Sequence, residues 1–179
     1  MLRIIAGSLG GRKIKASDSK TTHPMSEKLR GAIFNALGDI EGLSVIDAYA
    51  GSGAVGFEAI SRGASRVLAL ENDRPAINII RLNEQPLDLG PSYQLIQLSV
   101  EHWLSQTTTS SNFEIIIADP PYDKLDVATI EQLAARLSEK GILVLSHTSK
   151  IPAPQLKSVE LVRTKGYGDA SLSYYKKTS

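Results

Sequence analysis

Val45-Ile46-Asp47-Ala48-Tyr49-Ala50-Gly51-Ser52-Gly53-Ala54-Val55-Gly56 reads as a buried strand, a tight turn and the start of a helix. From residue 43 to about 148, strand-like and helix-like segments alternate, the pattern of parallel strands joined by crossover helices. Strands are expected at residues 43–49, 66–71, 93–99, 113–118 and 141–147, and their near-continuous apolar character suits strands covered on both faces. Helices are expected at 54–62, 74–83 and 126–140. The last repeats Ile130, Leu133, Ala134 and Leu137, with Gly141 placed to cap it. The predicted fold is a doubly wound α/β domain with a mostly parallel, seven-stranded sheet.

Both ends depart from this alternation. Residues 159–165 and 171–176, joined through Gly166-Tyr167-Gly168-Asp169, predict an antiparallel C-terminal hairpin. Residues 3–6 and 12–16 flank Gly7-Ser8-Leu9-Gly10-Gly11 and predict a smaller N-terminal hairpin. Ser26 then caps a helix through Leu37 whose apolar face is Leu29, Ile33, Phe34 and Leu37. Residues 86–92 and 107–111 are surface loops by composition.

At 179 residues with 42% hydrophobic content, the chain fits one domain with a sizeable core. Residues 1–38 are expected to form a basic extension and 39–179 the core. There is no cysteine, which excludes a disulfide framework, a thiolate nucleophile and thiolate-held zinc or iron–sulfur sites. Three scattered histidines give a metal site little support. No apolar run approaches the ~20 residues that span a bilayer, and Met1-Leu2-Arg3-Ile4 lacks a signal-peptide pattern. A soluble, cytoplasmic, monomeric protein without metal or membrane attachment is expected.

Net charge is +1, yet residues 1–38 carry seven Lys/Arg against two acidic residues, and 150–179 carry six against two. Basic ends flank an acidic middle. Either a polyanion docks on those ends, releasing counterions as phosphates are neutralised, or they are a solvated surface.

Gly51-Ser52-Gly53-Ala54-Val55-Gly56 fits G-x-G-x-x-G, which by itself allows a dinucleotide turn. Asp47 discriminates, because a carboxylate at the strand end repels a pyrophosphate and favours the cationic S-adenosylmethionine (AdoMet). Glu71, 20 residues past Gly51, stands where an acidic side chain accepts ribose hydroxyls; either cofactor predicts it. Ser52 in the turn and Asn72 beside Glu71 join the candidate cofactor set.

Ile115-Ile116-Ile117-Ala118 runs into Asp119-Pro120-Pro121-Tyr122. An exocyclic nucleobase amine is a poor nucleophile because its lone pair is delocalised into the ring. The Asp119 carboxylate and Pro120 carbonyl can accept its two hydrogens and draw the nitrogen toward a tetrahedral geometry, freeing the lone pair for a methyl sulfonium. Pro120 and Pro121 stiffen the turn, and Tyr122 offers a ring for an unstacked base. The bland reading is a rigid surface turn. His102, Trp103 and His147 read as packing residues.

These residues together resemble the bacterial RsmD-type methyltransferases, over essentially the whole chain. The resemblance rests on Arg3-Ile4-Ile5-Ala6-Gly7 with Gly11-Arg12-Lys13, and on His23-Pro24-Met25-Ser26 through Leu29-Arg30 to Ile33-Phe34-Asn35. It continues through Asp47 to Ala59, Ser61-Arg62-Gly63-Ala64, Glu71 and Asp119 to Tyr122. The resemblance implies AdoMet-dependent methylation of a guanine N2 amine in small-subunit (16S) ribosomal RNA, free or in an assembling subunit. It implies that Asp47, Gly51, Gly53 and Glu71 hold cofactor and that Asp119, Pro120 and Tyr122 hold the guanine. Arg12, Lys13, His23 and Arg30, in the hairpin and the segment leading into the first helix, would then meet RNA. Ser99 replaces the family's usual acidic residue near the adenine, and His23 and Met25 replace arginine and threonine. The alternatives are an adenine-N6 methyltransferase on DNA or RNA, an NAD-dependent oxidoreductase, and a non-catalytic RNA-binding protein of the same fold.

Overall fold

The computed structural model describes residues 1–18, 24–107 and 112–178. Seven strands form one sheet: β3 (Ser44–Ala48), β4 (Arg66–Leu70), β5 (Tyr93–Ile96), β6 (Phe113–Ala118), β7 (Leu137–Thr148), β8 (Glu160–Tyr167) and β9 (Ala170–Lys176). Their spatial order is β5-β4-β3-β6-β7-β9-β8. The first five are mutually parallel, and β9 and β8 close one edge as an antiparallel hairpin. The doubly wound reading holds. The chain winds outward from β3 to β5, then restarts on the other side of β3 with β6, so β3 and β6 flank the switch point, where a crevice opens at the carboxyl ends of the strands.

The crossover helices are α2 (Ala54–Ser61), α3 (Arg74–Leu87), α4 (Val100–Gln106) and α5 (Val127–Ala134). One core holds α1 (Glu27–Leu37) and α2 residues such as Ile33, Phe34 and Phe57 against Val45, Ile115 and Val144. A second packs Trp103, Ile130 and Leu133 against Ile46, Ile116 and Leu143. Successive strand residues thus bury opposite faces.

Three expectations need correction. The helix after Asp126 ends at Ala134, and residues 137–140 start β7 instead. Leu137 fits the helical spacing, but pairing with Phe113 buries it in the sheet, and tertiary burial overrides a four-residue extension of periodicity. Gly141 is therefore inside a strand, where a Cβ would stand 2.9 Å from the Ser138 carbonyl. Second, α3 continues through Pro86, expected as loop, to the buried Leu87. A proline in the last turn removes a single backbone bond there. Third, α4, which pattern alone does not reveal, follows β5, capped by Ser99 accepting from the His102 amide at 3.1 Å. Trp103 packs inward, and His147 is buried between Thr148 and Ser173.

The front of the chain does not hang free. β1 (Leu2–Arg3) pairs with β2 (Lys13–Ile14), and Ile4 and Ile14 join the first core. Ile5 and Ala6 donate their amides to the two oxygens of Glu58 on α2, at 2.7 and 3.1 Å. Ser8 donates its amide to the Ser61 carbonyl at 2.8 Å. Gly7 fits because φ is +84° and a Cβ would lie 1.8 Å from that same carbonyl. Ser26 caps α1 by accepting from the Leu29 amide at 3.1 Å. Among the described residues, no helix is long and apolar enough to cross a membrane.

Candidate active site

Asp47, Glu71 and Asp119 stand at the carboxyl ends of β3, β4 and β6, three neighbouring strands. Strands lie about 4.8 Å apart, so three carboxylates edge the same crevice. The turn beside them is strained. Tyr49, Gly51 and Gly53 all have positive φ, at 65°, 59° and 83°; a non-glycine residue in that region is uncommon and clusters at functional sites. A Cβ on Gly51 would meet nothing within 4 Å, so that glycine faces open space. A Cβ on Gly53 would collide with the Phe57 ring at 2.7 Å.

Asp47 is 2% exposed and accepts the Gly56 amide at 2.8 Å. Gly53, the residue that caps α2, offers no side chain, so the strand-end carboxylate binds an amide in the first turn of α2 instead. The positive end of α2 is the place where a dinucleotide fold receives pyrophosphate. Here the chain's own carboxylate fills it, which removes the nicotinamide reading and leaves the crevice suited to a cation. Burial, with Asp119 and Glu71 nearby, pushes Asp47 up to about 7, against the Gly56 hydrogen bond.

This raised value has a measurable consequence for stability. An Asp that is harder to ionise when folded stabilises the fold below its unfolded pKa, and that contribution is lost as pH rises through the folded value. With Asp47 near 7 and Asp119 near 6, the melting temperature of the cofactor-free protein is expected to fall between about pH 4 and 7. Asp47→Asn should flatten the fall; an equally steep profile in that variant would remove Asp47 as its source.

Glu71 is held in place by three backbone amides. Its Oε2 accepts the Gly51 amide at 2.7 Å, and its Oε1 accepts the amides of Asn72 and Asp73 at 2.9 and 2.8 Å. A carboxylate offers about four acceptor positions, so Glu71 ties the glycine turn to the end of β4 and Oε2 keeps one acceptor position. Asn72 is exposed. The Ser99 hydroxyl is committed to capping α4.

Asp119 follows β6, half-buried, with Pro120 buried behind it and Tyr122 37% exposed in a short 3-10 turn. The Tyr122 hydroxyl lies 2.9 Å from Ser146 Oγ, and Ser146 neighbours the Asp119 carboxylate across β6 and β7. Burial pushes Asp119 up to about 6, although the Ser146 hydroxyl favours the ionised carboxylate. Burial likewise raises Tyr122, with Ser146 opposing and Asp119 adding.

The RNA-facing set divides. Arg12 and Lys13 are exposed, with the Arg12 guanidinium donating to the Pro86 carbonyl at 2.5 Å. Arg30 is not a surface residue: it is 0% exposed, 3.6 Å from the fully buried Glu58 and bonded to the Arg3 carbonyl. Its role is internal, and the expectation that it meets RNA is corrected. His23 lies outside the described residues.

Sequence reading missed two site residues. Ser146 carried a faint signal, a lone hydroxyl closing the apolar run Leu143-Val144-Leu145. Asn83, buried on α3, donates to the Lys15 carbonyl at 2.9 Å and the Ser52 carbonyl at 3.2 Å and accepts the Lys15 amide at 2.8 Å. It rivets the glycine turn to the N-terminal segment; nothing local in the sequence marks it.

The strand order, the reversed terminal hairpin and the glycine turn with its carboxylate define a Rossmann-like class I methyltransferase, whose cofactor is AdoMet. A family model described as "Conserved hypothetical protein 95" matches residues 2–176, and the chain belongs to this RsmD-type methyltransferase family. The Bacillus subtilis (strain 168) protein named "Putative rRNA methyltransferase YlbH" is 30% identical over 182 residues, covering 98% of this chain and 99% of its own. Ribosomal RNA small subunit methyltransferase D of Escherichia coli (strain K12) is 32% identical over 143 residues, covering 79% and 69%. A solved structure described as "Putative methyltransferase yhhF from Escherichia coli" superposes with a TM-score of 0.88 at 27% identity, covering 99% and 98%.

Proposed function

We propose that the protein transfers a methyl group from AdoMet to the exocyclic N2 amine of a guanine in small-subunit ribosomal RNA. The observation that carries this reading is the placement of Asp119-Pro120-Pro121-Tyr122 at the end of β6, beside β3 and its glycine turn. The names of the relatives support ribosomal RNA as the substrate. The glycine turn, open at Gly51 and edged by carboxylates rather than by anion-binding donors, fits a cationic cofactor. Asp47, Gly51, Ser52 and Gly53 would hold it, with Glu71 and Asn72 shaping the turn and Ser99 at the rim. When bound, AdoMet supplies a methyl group activated by its sulfonium.

In this mechanism Asp119 and the Pro120 carbonyl accept the two amine hydrogens. They would hold the nitrogen with its lone pair free to attack, and the Asp119 carboxylate would offset the positive charge that develops on nitrogen as the methyl group leaves the sulfonium, then take the amine proton. The Tyr122 ring supports the base, and Pro121 keeps the turn from yielding. The carboxylate must be ionised to do this, so transfer falls as pH drops through about 6.

The deciding experiment is labelled methyl transfer to unmodified ribosomal RNA and to small subunits, followed by nucleoside analysis. N2-methylguanosine is the expected product; N6-methyladenosine, or no labelled nucleoside, would overturn the reading.

Residues 1–38 are proposed as the RNA-contacting extension. Replacing Arg12 and Lys13 together with alanine should weaken RNA binding and flatten the slope of log affinity against log salt by roughly 1.5. An unchanged slope in a filter-binding series would remove both residues from the contact surface.

A further inference from the structure

β7 lies parallel to β6 with Ala118 opposite Leu145, so the next residues stand side by side, Asp119 just past the end of β6 and Ser146 still within β7. Ser146 is 1% exposed. Its hydroxyl meets Tyr122 Oη at 2.9 Å and stands beside Asp119, whose ionised carboxylate it favours.

The direction of these bonds follows from the atoms available. An ionised carboxylate only accepts, and a serine hydroxyl has one hydrogen. With that hydrogen turned to the neighbouring Asp119, Tyr122 is the donor to Ser146 Oγ. The chain therefore runs from the Tyr122 hydroxyl through Ser146 to Asp119, and one buried oxygen fixes both side chains that frame the base.

We propose that Ser146 is a positioning residue of the methyl-transfer site, orienting the Asp119 carboxylate and the Tyr122 ring together through its single hydroxyl. This rests on the reading that Asp119 and Tyr122 hold the target base. Tyr122 sits on a short turn and is partly exposed; without an anchor on the sheet its ring is free to swing about two side-chain torsions. Asp119 has two oxygens, and fixing the carboxylate through Ser146 sets the direction in which its remaining acceptor positions face an incoming amine. A misplacement of about 1 Å at such a centre can lower turnover a hundredfold.

The charged and titratable groups facing Asp119 are Asp47 from β3 and Tyr122 from its own turn, with Glu71 beyond Asp47 on the β4 side. Asp47 and Glu71 are not altered when Ser146 is replaced, and Tyr122→Phe reports separately what losing the Tyr122–Ser146 bond does to Asp119. The hydroxyl favours the ionised carboxylate, and its removal moves the midpoint upward.

The test uses Ser146→Ala, Tyr122→Phe and the double variant in the full chain, each checked for an intact melting transition. In the cofactor-free protein, the carboxyl-carbon NMR titration of Asp119 should move to higher pH in Ser146→Ala. In turnover, Ser146→Ala should lower kcat about ten- to a hundredfold, with KM for RNA and AdoMet affinity within about threefold, and its acid limb should shift upward. Tyr122→Phe should lose less, and the double variant no more than Ser146→Ala, since both changes break the same chain. An unmoved Asp119 midpoint overturns the proposal, as do kcat within twofold of wild type or strictly multiplicative losses. Should wild type methylate no RNA, the functional reading fails, while the carboxyl titration still decides whether Ser146 governs Asp119.

Discussion

Asp119→Ala is expected to lower methyl transfer by at least about a hundredfold, the scale seen when one preorganised polar group is removed from a reacting centre. S-adenosylhomocysteine affinity should stay within about threefold. The separation follows from the geometry. Asp119 lies beside Ser146 on β7, whereas the glycine turn is held by Glu71, Asn83 and the Gly56 amide's bond to Asp47. Removing Asp119 leaves the turn's own supports in place. Nor should the fold weaken near neutral pH, because a carboxylate raised to about 6 opposes folding once ionised. Single-turnover transfer and calorimetry check the two halves. Turnover within tenfold of wild type would dismiss Asp119 as the amine acceptor; lost cofactor binding would move its role to the glycine turn.

The largest stability effect should come from Glu58→Ala. Glu58 is fully buried, accepts the amides of Ile5 and Ala6 and the Arg62 guanidinium at 2.8 Å, and stands 3.6 Å from Arg30. Burial already lowers Arg30 from its ordinary value, against the pull of Glu58. Taking the carboxylate away leaves a guanidinium sealed from water with its charge uncompensated. Breaking one partner of such a pair costs about 3–5 kcal/mol, and two backbone donors lose their acceptor as well. At roughly 2–4 °C per kcal/mol for a domain of this size, the melting temperature should fall by about 10 °C. Glu58→Gln, which keeps an acceptor, should fall less. A shift under about 3 °C in Glu58→Ala would mean that water reaches Arg30.

Local signals in the sequence mark the edge of the sheet that carries the candidate site. Strand β6 is an uninterrupted apolar run that stops at a proline pair, and the bounds read from it, residues 113–118, match the strand. β3 was legible because glycines follow it at once. The failures share a cause: a partner distant in sequence decided the outcome. Arg30 sits at helical spacing with Ile33, Phe34 and Leu37, so its face was the buried one. Reading its charge as surface exposure was wrong because Glu58, 28 residues on, neutralises it. Ser146 needed the register of β7 on β6, and no single segment encodes a register.

Asn83 spans the segment leaving β2, helix α3 and the glycine turn, while Glu58 and Ser61 seat the opposite side of the hairpin on α2. Among the described residues, arm and cradle are thus pinned together from both sides. A nucleic acid approaching them meets two pieces that move as one. If the proposed function holds, the swivelling and unstacking that bring a base to Asp119 fall on the visitor, and a loosely folded stretch of RNA should be accepted more readily than a tight duplex.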